Sequence, residues 1–343
     1  MKNNNTTSTN IFQQTTTIRI IAFWAFSEAF LGGILHGFQI PLSGLVLASI
    51  ASLCITLIAL ANTSKGIILK ATFTVIAIKF ILSPYTPPMA YLAVLIQGLA
   101  GELFFIQRRF IKTSAFCLTL FSLMYSALQQ LVTLTIIFGK NFWKALDVFL
   151  NNITQSFVSQ QHYSLYIVII YLLCYVLAGI FGGLFNIYLI EQFKQNKFPE
   201  NFNNALALLN TTNTTNANTK QKKLKNSFII TGIILLCLLF VSYIPALQHK
   251  LLKGKILPIV VRGIFVILIW IYLLAPLFIK LISKWVQHYK KNNRSVIENI
   301  LLLMPDVKKI VIASWQASKG LRLVKRIKNF IFNSLMLALY EKG

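Results

Sequence analysis

Acidic residues are scarce. The chain of 343 residues holds 8 Asp and Glu against 33 Lys and Arg, a formal net charge of +25. Charged residues together make up only 12%, where a soluble domain usually carries about 25%. So few charges cannot cover the water-exposed surface of a soluble protein. The four cysteines, Cys54, Cys117, Cys174 and Cys237, stand singly in apolar runs. No CxxC spacing exists, which speaks against a metal centre or a disulfide framework. The four histidines are not paired at ligand spacing. The motifs GxxxxGK(S/T), HExxH and GxSxG are also missing. The expectation is therefore no enzyme, no metal and no cofactor. Period-2 alternation is missing as well, which excludes a membrane β-barrel.

What is present is apolar sequence. Hydrophobic residues reach 56% and the mean hydropathy is +0.67. They fall in blocks of roughly 20, the length that crosses a hydrocarbon core about 30 Å thick. In that core every backbone polar group must bond within its own segment, which selects helices. The predicted fold class is all-α, a polytopic helical membrane protein. Spans are expected over about 18–36, 41–62, 66–83, 87–106, 113–138, 163–193, 228–247 and 257–283. This makes a six-helix bundle plus two further helices, followed by C-terminal amphipathic helices. Two connections, His36 to Ile40 and Ser83 to Pro87, are very short. Pro41, Pro84, Pro87 and Pro88 beside them can stop one helix and start the next.

The basic excess sets orientation. Lys2, Arg19, Lys65, Lys70, Arg108, Arg109, Lys112, Lys194, Lys197 and the Lys220–Lys225 cluster share one side if the N-terminus is inside. The positive-inside rule then places both termini in the cytoplasm. Lys250, Lys253 and Lys255 violate it. The expected location is the inner membrane of a bacterium, with the bilayer as first partner and no role for nucleic acid. Four regions follow: a membrane unit over 1–193, a cytoplasmic Asn/Thr/Lys-rich linker over 194–227, two further spans within 228–283, and a basic tail over 284–343. In the tail, Pro305 and Asp306 are expected to open a helix. It carries Val307, Ile310, Val311 and Trp315 on one face, and Gly320 separates it from a second helix. Such basic amphipathic helices lie on the inner membrane face or dock a partner.

Ionisable groups at membrane depth are costly and mark function or a buried pair. Glu28 lies roughly 15 Å into the first span at 1.5 Å per residue. Lys79 sits at similar depth in the third, with opposite charge. Either they only fix helix packing, or they form the floor of a substrate cavity. His36 and Tyr85 in the outer hairpins, and Gln97 in the fourth span, could line a pocket that opens outward. Glu102, nearer the cytoplasmic end, reads as structural. Ala25 and Ala29 form an AxxxA step in the first span, and Gly179, Gly182 and Gly183 a similar set in the sixth. Such steps let helices approach closely.

With its six helices, internal N-terminus, Ala25–Ala29 step and short outer hairpin, the first 193 residues resemble the substrate-binding (S) component of energy-coupling factor vitamin transporters. The resemblance implies that the Ala25–Ala29 face packs on a transmembrane T component. The tail is loosely similar to the coupling helices of that T component. It has Ala317-Ser318-Lys319-Gly320 followed by Arg322, with Lys where the family has Arg. This implies that Lys319, Gly320 and Arg322 dock cytoplasmic ATPase subunits. The expected function is a membrane component of a multi-subunit importer that binds a small solute from outside. The alternative is a non-transport scaffold that recruits a cytoplasmic partner through its basic tail. An ion-coupled carrier using Glu28 and Lys79 is a third reading, for which no inverted repeat is visible.

Overall fold

The computed structural model describes residues 4–37, 42–84, 86–154, 163–195, 202–212 and 275–339. All regular structure among them is helical. Among the described residues, four helices are long and apolar enough to cross a membrane: Thr15–Leu35, Ser43–Ala61, Ile111–Phe138 and Tyr163–Phe193. The expected spans 66–83 and 87–106 form shorter helices of 16 and 17 residues. The expected span 228–247 lies outside the described residues, as does most of 257–283.

The chain divides into two compact units. One comprises 1–130, 170–213 and 275–343, the other 131–169 and 214–274. In the first, helix α1 (Asn4–Phe26) begins well before the apolar run. It passes through a π-helical turn (Ser27–Leu31) into α2 (Gly32–Gly37). Helix α3 (Ser43–Ala61) is apolar nearly all round, and eleven of its residues are buried. That is the pattern of a helix surrounded by others. Helices α4 (Ile67–Leu82) and α5 (Pro88–Phe104) form the proline hairpin. Pro88 occupies the first helical position, where its missing N–H costs nothing. The hydroxyls of Tyr91 and Thr86 both donate to the Ser83 carbonyl, each at 2.9 Å. They hold the turn between the two helices.

Helices α6 (Ile111–Phe138) and α8 (Tyr163–Lys194) meet through the glycine set of the sixth span. Gly179, Gly182 and Gly183 lie against Leu120, Thr119 and Phe116. In the second unit, α7 (Lys140–Thr154) is a strongly amphipathic helix where a loop was expected. The Asp147 carboxylate accepts the Ser164 backbone N–H at 2.6 Å, capping the start of α8.

The rest of the chain departs most from the expectation. Within the proposed linker, Phe202–Thr212 forms helix α9 with Phe202 and Ala205 buried. Helix α10 (Ala275–Asn292) starts inside the eighth expected span and continues past its end. It runs along the α4–α5 hairpin, with Phe278 against Tyr91, Trp285 against Phe73, and Tyr289 hydrogen-bonded to Thr74. Pro305 does not open a helix. It sits inside α11 (Arg294–Ala317), and α12 (Leu323–Leu339) follows. Proline costs a helix interior about 3 kcal/mol. Here Ile297 and Ile300 before it, and Val307 and Ile310 after it, are all buried in one core. Burying a side chain of that size is worth roughly 1.5–3 kcal/mol each, so burial on both sides of the proline outweighs the break. Helix α11 packs against α1 and α9, and α12 against α11 and α1. The apolar faces of the tail are thus covered largely by the chain's own helices.

Candidate functional site

The Glu28 carboxylate and the Lys79 ammonium meet at 2.8 Å, with side chains 4% and 2% exposed. Three local features make this possible. A π-turn holds one residue more than an α-turn and shifts the helix face at that point, and Glu28 lies within it. Ser27 within the same turn satisfies its own hydroxyl by donating to the Trp24 carbonyl at 2.7 Å. Lys79 stands in the last turn of α4, where the helix dipole favours a cation. The ammonium also donates to the Ala90 carbonyl at 3.4 Å and lies 5.7 Å from the Tyr91 ring centre. The α4–α5 hairpin therefore supplies the cation and much of its surroundings, and the π-turn that follows α1 supplies the anion. Both groups are enclosed, so a solute can reach them only if these helices part.

Gln97 is buried on α5, about 9 Å of helix beyond Tyr91 at 1.5 Å per residue. The His36 side chain and all of Tyr85 lie outside the described residues. Ala25 is fully buried and Ala29 half-buried. Ala25 thus presents no surface to a second chain; the helices of this chain cover it. Lys319 and Arg322 are exposed. Gly320 adopts φ +90°, and an added Cβ would meet nothing within 4 Å. Backbone conformation alone, not crowding, selects glycine there.

Glu102 acts structurally. Its carboxylate accepts the Gly66 N–H at 2.7 Å and the Leu69 N–H at 3.4 Å, capping the start of α4. An anion is favoured at that end by the unsatisfied N–H groups and the helix dipole.

A polar cluster in the bundle interior escaped the sequence reading. The Asn186 amide donates to Thr56 at 3.1 Å and Thr119 at 3.3 Å, joining α8 to α3 and α6. The available signal was an amide set well inside the apolar run 163–193, seven residues before its end. Both threonine hydroxyls already donate to their own helices, to the Ser52 and Ala115 carbonyls. Replacing Asn186 by leucine therefore strands no hydroxyl proton. Hydrogen bonds between membrane helices average about 0.6 kcal/mol. The expected loss is about 1 kcal/mol, read as a small shift in the denaturation midpoint of the purified protein.

Fold and site together define a helical protein with, among the described residues, four helices fit to cross a membrane and an ion pair enclosed among helices. No family model, curated protein or solved structure matches the chain.

Proposed function

We propose that the protein is the solute-binding membrane component of an importer, energised by separate cytoplasmic ATPase subunits. The observation that carries this reading is the enclosed Glu28–Lys79 pair. Opposite charges at membrane depth can exchange each other for the charged groups of a small zwitterionic or ionic solute. The Trp24 indole N–H supports the reading. It is buried without a hydrogen-bond partner among the described residues, and buried donors are rarely left so. Parting of α1 from the α4–α5 hairpin would admit the solute.

The test is mass spectrometry of small molecules retained by the purified protein. A retained solute is expected from the native chain and none from Glu28→Gln or Lys79→Met. If the native chain retains nothing, or if both variants retain the solute as the native chain does, the pair is a packing device and the solute reading fails.

The proposal includes eight spans with both termini in the cytoplasm. Single cysteines placed at Lys223 and Lys253 in a cysteine-free background check it. An impermeant thiol reagent added outside should label position 253 and leave position 223 unlabelled. Outside labelling at 223 would contradict the topology.

A further inference from the structure

Helices α11 and α12 meet at an elbow whose turn is Gly320. The joint is aromatic and basic: Phe330 packs edge-on against Trp315 at 5.3 Å, and the Arg326 guanidinium lies 4.1 Å from the Trp315 ring centre. The second half of α12 is buried at Phe332, Leu335, Met336 and Leu337. Its first half is not, with Leu323 75% and Ile327 51% exposed. Trp315 is 44% exposed, and Lys319, Arg322, Lys325 and Lys328 are exposed around it. From Val307 to Leu339 there is no acidic residue at all. Large apolar side chains interleaved with cations are the composition of a helix face that lies in a membrane interface.

The elbow's place in the fold indicates what covers it. The Lys328 ammonium lies 4.1 Å from the Tyr188 ring centre, and Phe332 packs against Phe193. Both partners close the candidate span Tyr163–Phe193. Leu337 and Ala338 share a pocket with Arg19 and Ala22, near the start of the candidate span Thr15–Leu35. If these helices cross a bilayer, α12 stands at the level of its headgroups. That is the depth at which tryptophan and long basic side chains are favoured.

We propose that the outward face of this elbow binds anionic lipid. Trp315, Leu323 and Ile327 enter the boundary between headgroups and acyl chains, and Lys319, Arg322 and Lys325 hold lipid phosphates. Binding of this kind depends on apolar area and diffuse positive charge, not on the position of each cation. A second protein docked on the same elbow would require particular cations at particular places. The inference does not depend on the solute reading.

The experiment uses the full chain, purified in detergent and offered equimolar phosphatidylglycerol and phosphatidylcholine. Retained lipids are counted by native mass spectrometry. Phosphatidylglycerol should be enriched on the native protein. Each exposed cation lost should lower the enrichment about five-fold, so Lys319→Gln, Arg322→Gln and Lys325→Gln together should nearly abolish it. All three are surface sites, where substitution leaves folding largely unaffected. A variant that exchanges Lys319 with Leu321 and Arg322 with Val324 keeps every residue type and should keep the enrichment. Equal enrichment in the native and triple-Gln proteins would overturn the proposal. So would loss of enrichment in the exchanged variant, or capture of a cytoplasmic ATPase by the native elbow that the exchanged variant loses; the latter would assign the elbow to a protein partner.

Discussion

Replacing Glu28 by glutamine should destabilise the protein by about 3–5 kcal/mol, the usual result of stranding one member of a buried ion pair. Lys79→Met should cost a similar amount. In each case the remaining charge stays enclosed, 2% or 4% exposed, away from bulk water. Glutamine keeps the shape of Glu28 and can still accept a hydrogen bond, so most of its cost is electrostatic. The exchange Glu28→Lys with Lys79→Glu separates packing from recognition. It restores opposite charges but puts the acid in the last turn of α4, where the dipole opposes it. Partial recovery of stability is expected, below the native level. Solute retention should not return, because the charges then face a solute in reversed order. Denaturation midpoints and ligand mass spectrometry on the four proteins check this. Native stability in either single variant would mean that the pair contributes nothing.

The second large effect is expected at the α4–α5 contact. A Cβ added to Gly98 would run into Thr72 Oγ1 and stand 2.5 Å from its Cγ2 and 2.7 Å from its Cβ. Rotating Thr72 does not relieve the contact with its own Cβ. The hydroxyl is also held, donating to the Ile68 carbonyl at 2.7 Å. Gly98→Ala should therefore force the helices apart and cost about 1–3 kcal/mol, the usual range for overpacking. Because that hairpin carries Lys79 and Ala90, the damage should reach the ion pair and lower solute retention too. Thr72→Gly combined with Gly98→Ala moves the bulk to the other helix and should recover part of the loss. Additive destabilisation in the double variant, read in the same denaturation assay, would show that the two residues do not oppose each other.

These two sites differ in how they could be read beforehand. The pairing of Glu28 with Lys79 was legible because the rule is strong: charge at membrane depth seeks an opposite charge at the same depth. The π-turn that aims Glu28 has no sequence signature. Neither does Gly98 announce its neighbour, since one glycine in an apolar helix is common and only the threonine opposite makes it critical. Helix α9 was legible in principle. Phe202, Ala205, Leu206 and Leu209 follow helical spacing, but the Asn/Thr-rich run after them dominated the reading. Pro305 misled for a physical reason. Its local preference is a helix start, and burial of isoleucine and valine on both sides outweighs that preference. The covering of the tail's apolar face by α1 and α9 was out of reach, because amphipathicity shows that a face is buried without showing against what.

The ion pair also has a history in time. Glu28 and Lys79 are 51 positions apart, and ribosomes add about 5–20 residues each second. During translation the first helix therefore emerges some seconds before the helix that neutralises it. For that interval the nascent chain carries an acid without its base, and any product truncated between the two residues carries it permanently.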